Sequence, residues 1–533
     1  MDDLLKTVCV ADLAVGSGAF PVGMLSEIVR LREMITEYLS VEMTGFQKKS
    51  FISYGRKRYD LKVETIKNCI YACDVEPSAV DIAKLRLWLS IVIDDEITSA
   101  PNNGEFEAHS KPRQLPNLEC NIICGNSLVD EFNGRRLISE STVLNNVSNN
   151  SQVNMYQYSV EPMLVKLIDL QDKLFFEKNH DEKEALKNQI QDLYDNIIFS
   201  QGLGEESIEE YKHFAYMDSK PFILWALSFP RVFRENGGFD IVIGNPPYLK
   251  EIDYKDIFKP VLETEFGREY GEGKMNFWYF FFHKGVNLLN NDGTISFIAP
   301  NYFVAGSGAS KLNKRFVNDL SLRVYIDFNK TKVFDTADVQ CMIFICSKND
   351  QRRPFNAYLF KHKVDREEIG KYINTLNSSS EISVIKVDNQ EAILSEDGKI
   401  NFANAKYADL LEKIEKKRSL RKIFKATQGI VENPSCLNNK NIASVEATGV
   451  DVTNYSAGDE VFVISKENID TLKLTSEEKA FLREYHDPSD IRRYTCSDTF
   501  EKYLLYVCRD NVEDIEKYPN IKAHLIKYKG GNI

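Results

Sequence analysis

Seven short apolar runs alternate with helical patterns across the first 350 residues, and this alternation restricts the fold more than any other regularity in the chain. The runs are Val8–Asp12, Ile70–Asp74, Asn121–Cys124, Phe239–Ile243, Thr294–Ala299, Arg323–Asp327 and Gln340–Cys346. Most are rich in β-branched or aromatic residues, as strands covered on both faces are. Strands alternating with helices predict an α/β fold on a mostly parallel, seven-stranded sheet. Between the second and third strands, Pro77–Ile93 predicts a helix. Pro77 suits its first turn, and Ile82, Leu85, Leu89 and Val92 share one face. Two helical insertions are expected. Met24–Lys67 adds helix after the first strand. Glu161–Ser200 predicts a hairpin, with Leu164, Leu167, Leu174 and then Leu186, Ile190, Leu193, Ile197 at helical spacing around the polar turn Lys178–Glu182. Few heptads are sustained, which favours local packing over a coiled-coil partner. Ser141–Gln152, heavy in Ser and Asn, reads as a loop.

At 533 residues the chain is too long for one ordinary domain. Its character changes near Lys348–Arg353, and beyond lie basic clusters such as Lys416-Lys417-Arg418 and turn residues such as Asn433-Pro434. Residues 1–350 are therefore read as one domain, 351–396 as a connector and 397–533 as a second domain. No apolar run approaches the roughly 20 residues that span a bilayer, and the amino terminus does not resemble a signal peptide. No membrane partner is expected, and the location is read as cytoplasmic. Reduced thiols agree with that reading. The ten cysteines include two C-x3-C pairs, Cys69/Cys73 and Cys120/Cys124, and none with zinc-ribbon spacing. They read as small buried hydrophobes, and no metal is expected. A net charge of −12 argues against a nucleic-acid partner, although a local basic cleft can coexist with an acidic exterior.

Four strings carry chemistry. Asp12-Leu13-Ala14-Val15-Gly16-Ser17-Gly18-Ala19-Phe20 leaves a strand and enters a helix, where glycines let backbone approach a ligand. Cys73-Asp74-Val75-Glu76-Pro77 ends the next strand. Its Asp74 is placed to accept from ribose hydroxyls, or to cap the helix, as Glu76 also is. Asp74 lies 56 residues after Gly18, which fits a nicotinamide unit poorly. Gly125-Asn126-Ser127-Leu128 follows the third strand and reads equally as an adenine contact or an ordinary turn. The fourth, Gly238 through Leu249, runs a strand into Asn245-Pro246-Pro247-Tyr248. Two prolines hold the chain extended beyond the sheet. That turn presents the Asn245 side-chain carbonyl and the Pro246 backbone carbonyl as two acceptors for the two N–H groups of an exocyclic amine. Tyr248 can stack on a base that has left its duplex.

In this order the four strings resemble the amino-methyltransferases of the gamma arrangement, and within them the type IIG restriction–modification proteins and their methyltransferase-only relatives. Ala79 through Leu89 and Phe239 through Tyr248 carry much of the likeness. The resemblance implies an S-adenosylmethionine-dependent methyltransferase fold followed by a mixed α+β target-recognition domain, part of which is expected at 397–533. The implied activity is methyl transfer to adenine N6 in duplex DNA, with Asn245, Pro246, Pro247 and Tyr248 catalytic. It implies that Asp12, Ala14, Gly16, Gly18, Phe20, Val75 and Ser127 line the cofactor, that Asp74 meets its ribose, and that Asn126 meets its adenine. Related tetrads serve cytosine N4. Phe334, in Val333-Phe334-Asp335, matches a family aromatic that stacks on the far face of the base, and reads equally as a core residue. Ser489 through Tyr494 and Tyr518 through Leu525 resemble the recognition domain. Arg492 and Arg493 are its candidate DNA contacts, or an exposed basic turn.

Against that arrangement the chain reads as short at both ends, so a complementing upstream polypeptide or restriction subunit is an expected partner. No nuclease cluster is evident. A remnant that binds DNA or a partner without catalysis, and a methyltransferase acting on protein or small molecules, are the competing readings.

Overall fold

The structure, a computed structural model, describes residues 1–53, 56–94, 115–138, 155–215, 217–334, 339–349, 351–402, 413, 437–446, 451–487, 490–492, 495–507 and 515–528. The chain divides into two compact units, Met1–Lys416 and Lys417–Ile533.

The first unit is built on one sheet. Its strands are β1 (Val10–Asp12), β2 (Ile70–Asp74), β3 (Ile122–Cys124), β4 (Phe239–Gly244), β5 (Leu289–Pro300), β6 (Ser321–Asp327), β7 (Cys341–Ser347), β8 (Phe355–Phe360) and β9 (Ile382–Val387). They lie in the order β3-β2-β1-β4-β5-β7-β6-β8-β9. The first five in that order pair in parallel, as do β6 and β8. Antiparallel β7 sits between β5 and β6, and β9 closes the edge antiparallel to β8. All seven expected strands form, but the sheet has nine. Residues 351–396, read from sequence as a connector, supply the other two. β8 is buried at four of its six positions and β9 at its two ends, and polar Asn356, Ser383 and Lys386 interrupt their short apolar runs.

The helix after β2 spans Pro77–Val92. Its expected face is turned outward. Val80, Ala83, Leu87 and Ile91 are buried, whereas Ile82, Leu85, Leu89 and Val92 are 47%, 51%, 52% and 50% exposed. Both stripes are apolar, so periodicity could not choose between them. The choice follows from close approach: a Cβ on Gly18 would lie 2.9 Å from the Ala83 Cα, which requires the smallest stripe of the helix to face the glycine loop.

The expected hairpin forms as helices Met155–Phe176 and His180–Phe199, with the Asn179 side chain capping the second through Asp181 N at 2.9 Å. Leu164, Leu167, Leu174, Ile190, Leu193 and Ile197 are buried in the main core, and Leu186 packs against it. The aromatic stretch within helix Trp278–Leu288 is buried along nearly its whole length. Lys284 on that helix is buried too. Its Nζ lies 2.9 Å from Asp130 Oδ1 and 4.3 Å from the centre of the Phe266 ring. Among the described residues, no helix is long and apolar enough to cross a membrane. Cys69 and Cys73 are buried, as small core residues are.

The second unit holds β10 (Val463–Ser465), β11 (Leu482–Tyr485) and β14 (Lys502–Leu505) in an antiparallel sheet, a ribbon of β12 (Ile491–Arg492) with β13 (Thr495–Cys496), and helix Pro519–Leu525. Glu478 ties this unit together. Its carboxylate accepts from Thr475 N, Asn520 N, Asn520 Nδ2 and Ile521 N. Burial opposes the charge, but these bonds outweigh it and hold the carboxyl down at about 2.

Candidate active site

From β1 the chain crosses to β2 and β3 on one side, then returns to β4 on the other side of β1. The sheet order therefore reverses between β1 and β4, and doubly wound sheets bind ligands beyond the carboxyl ends of such a pair. All four sequence strings lie at that edge, because they follow β1, β2, β3 and β4 in turn.

The loop after β1 is held by backbone and carboxylates. Ala14 N donates to Asp12 Oδ1 at 3.1 Å, Val15 N to Cys73 O at 2.9 Å, and Gly16 N to Asp74 Oδ2 at 2.8 Å. Gly16 and Gly18 take φ of +49° and +82°, which L side chains rarely adopt. The other Asp74 oxygen accepts from Glu76 N at 3.0 Å, so this half-exposed carboxylate braces the glycine loop and the entry to the next helix. Glu76 itself makes no side-chain cap. Val75 is exposed, and its carbonyl accepts from Ser219 Oγ at 2.6 Å. Asn126 Oδ1 accepts from Leu128 N at 3.1 Å in an Asx turn. Ser127 is buried, and its carbonyl holds Trp225 Nε1 at 3.0 Å. The segment 219–220, which no sequence motif marked, pairs with the end of β3 through Asn126 N to Lys220 O at 2.9 Å.

β4 delivers the tetrad. Gly244 ends the strand beside Asp12: a Cβ there would lie 2.8 Å from Asp12 Oδ1. Asn245 is exposed, Pro246 is buried, and Pro247 and Tyr248 are half-buried. The Tyr248 hydroxyl lies against Asn245 Oδ1 and is 2.9 Å from Ile298 O on β5. With one proton it donates to one of them at a time. Burial raises its pKa well above the ordinary phenol range, with smaller contributions from Cys341 and Tyr302, so the hydroxyl is neutral. Past the tetrad, Phe277 N donates to Leu249 O at 2.8 Å, and Lys250 bridges Asn276. Buried Asn276 in turn donates through Nδ2 to the Tyr302 hydroxyl at 2.5 Å. Tyr302 follows β5 and keeps 40% of its surface exposed. Sequence reasoning missed it, since the aromatic two residues past Ala299-Pro300 carries no spacing signal.

Phe20 and Phe334, about 300 residues apart in sequence, pack against one apolar cluster with Ile298, Ile326 and Phe328. Both are half-buried. The turn after β6 that leads to Phe334 is clasped to the end of β5, because Asp327 Oδ1 accepts from Asn301 Nδ2 and Asn329 N, each at 2.8 Å. Asp12 is the electrostatic outlier of the site. It is 2% exposed, and its Oδ2 has no hydrogen-bond partner. Burial pushes its carboxyl up to about 7, helped by the charge on Asp74 and opposed by the Ala14 N–H.

Arg492 lies in β12, but its side chain falls outside the described residues, as does Arg493 entirely. Among the described residues, no group of three or more His, Cys, Asp or Glu is arranged to hold a metal.

Fold and site together define a doubly wound α/β protein whose strand order reverses between β1 and β4, with a glycine loop after β1 and an Asn-Pro-Pro-Tyr turn after β4. Residues 68–334, half of the chain, match the family model described as Eco57I restriction-modification methylase, and the chain belongs to that family. It is 27% identical over 394 residues to a Methanocaldococcus jannaschii protein named type II restriction enzyme and methyltransferase RM.MjaORFECS2P, covering 65% of this chain and 30% of that one. To the Haemophilus influenzae type II methyltransferase M.HincII it is 26% identical, over 37% of this chain and 33% of the other. To the Escherichia coli type II restriction enzyme and methyltransferase RM.Eco57I it is 22% identical, over 69% and 28%. The chain thus spans about a third of the length of these relatives. Among solved structures, the type IIL restriction-modification enzyme MmeI in complex with DNA aligns with 99% of this chain and 48% of its own, at TM-score 0.43 and 11% identity.

Proposed function

We propose that this chain carries the modification methyltransferase of a restriction–modification system and methylates N6 of an adenine flipped out of duplex DNA. The observation that carries the reading is Asn245: an exposed amide carbonyl on a proline-stiffened turn, directly beyond a buried and unpaired carboxylate. S-adenosylmethionine fits the residues beside it, because the Asp12 Oδ2 lacks a partner and Gly16 faces open space. Asp12, Ala14, Gly16, Gly18, Phe20, Asp74, Val75, Asn126 and Ser127 would hold it, and it would supply an activated methyl group. The Asn245 side-chain carbonyl and the Pro246 backbone carbonyl accept the two amine hydrogens. That pulls the nitrogen toward tetrahedral geometry and aims its lone pair. The proton leaves after transfer, when it is far more acidic, so no ionised base is needed. The second unit, with Arg492 and Arg493, serves as part of the target-recognition region.

Incubation with tritiated S-adenosylmethionine and duplex DNA, followed by digestion to nucleosides, should place the label in N6-methyladenine. Label in N4-methylcytosine, in protein, or nowhere would overturn the reading.

In the free protein the Tyr248 hydroxyl lies against the Asn245 acceptor that the amine needs, and it can turn its proton to Ile298 O as a base enters. Tyr248→Phe keeps the stacking ring and vacates the acceptor. Its kcat/KM should stay within about threefold of wild type, whereas Tyr248→Ala should lose roughly 5- to 150-fold, the worth of one base–aromatic stack. Steady-state methylation of a defined duplex checks this; equal losses would mean that the hydroxyl, not the ring, carries the effect.

A further inference from the structure

We propose that Asp12 gives up a proton when the cofactor binds, and that its carboxylate then stands as the counter-charge by which the site prefers a cationic sulfonium over the neutral thioether left after transfer. This rests on the methyltransferase reading and adds to it a proton linkage and a basis for product release.

The geometry is that of a counter-ion without its ion. Asp12 ends β1 and is almost wholly buried. Ala14 N satisfies Oδ1, and nothing satisfies Oδ2. Gly244 stands so close that a Cβ would lie 2.8 Å from Oδ1 and 3.8 Å from Oδ2, and the next residue is Asn245, where the methyl group must arrive. The groups packed around Asp12 offer no compensating cation. From its own loop comes Ala14, from β4 comes Gly244, and from β2 comes Asp74, which is negative. No Lys, Arg or His pairs with Asp12 among the described residues.

An unpaired carboxylate in such a place avoids its desolvation cost by taking a proton. Its shift to about 7 expresses that balance. A fixed positive charge brought alongside reverses it and favours the ionised form. The proton goes to solvent on binding. Once the sulfonium has become a thioether the counter-charge is lost, and Asp12 takes a proton back.

Calorimetric titration of the full chain with S-adenosylmethionine and with S-adenosylhomocysteine, in buffers of different ionisation enthalpy, tests this without turnover. At pH 7 the sulfonium compound should release about half a proton more than the thioether. The affinity ratio of the two should fall roughly fivefold from pH 7 to pH 6. Their α-amino groups are common to both and cancel in that ratio. Asp12→Asn retains the acceptor for Ala14 N, and should flatten the ratio while still binding S-adenosylhomocysteine, which shows that the variant is folded. Equal proton release from the two ligands in wild type, or a pH-dependent ratio that persists in Asp12→Asn, would overturn the proposal alone. If neither ligand binds wild type, the methyltransferase reading fails and the proposal fails with it.

Discussion

Asn245→Ala should lower the rate of methyl transfer roughly 10²- to 10³-fold, the usual cost of removing one preorganised hydrogen-bonding group from a reacting centre. Cofactor affinity should stay within about twofold, because an interaction made with the amine near the transition state affects the chemical step rather than binding. The site makes the separation clean. Asn245 is exposed at the tip of the turn, and its recorded contact is with the Tyr248 hydroxyl, not with the glycine loop. Pro246 and Pro247 hold the backbone whatever the side chain at 245. Single-turnover methylation beside equilibrium dialysis of labelled cofactor gives the two numbers. Loss of both together would make Asn245 a structural residue and remove the amine grip from the mechanism.

The second large effect is on stability. Asp130→Ala should destabilise the first unit by about 3–5 kcal/mol, because it removes the carboxylate that faces the buried Lys284 ammonium at 2.9 Å. Arg136 also reaches Asp130, at 3.1 Å, but it is exposed and adds little. Neighbouring Glu131 accepts from Glu265 N at 2.8 Å, so the loop after β3 is pinned to the helices beside the tetrad at two points. Urea unfolding followed by tryptophan fluorescence reports on this directly, since Trp225 and Trp278 are both buried in that unit. The double variant Asp130→Ala/Lys284→Met should recover much of the loss, because replacing both charges removes the desolvation cost. A single-variant loss below about 1 kcal/mol would mean that the pair is solvated.

Much of the fold was readable because its signals are local. An apolar run of β-branched residues forms a strand wherever both faces are covered, and seven such runs became seven strands. Leucines spaced around a polar turn formed the hairpin, and two prolines after β4 could only extend the chain. β8 and β9 escaped because polar Asn356, Ser383 and Lys386 break their short apolar runs. The helix face at Ile82, Leu85, Leu89 and Val92 is an apolar stripe that turns outward, since two apolar stripes compete and only the contact between Gly18 and Ala83 decides between them.

The site divides in the same way. Residue type and spacing were sufficient to put Asp12, Gly16, Gly18, Asp74, Asn126 and Asn245 at the carboxyl ends of strands, since a turn residue that follows a strand stays at that strand's end in any fold. Which ends meet is a property of the sheet order. It brings β1 beside β4, and so sets Asp12 against Gly244. It also lets the Tyr248 hydroxyl reach Asn245 and β5, joins Phe20 to the cluster that holds Phe334, and leaves Asp12 Oδ2 buried without a partner. Those contacts depend on positions far apart in the chain, and no window of sequence contains them. Burial, and with it the charge state of Asp12, exists only after the chain has closed around the residue.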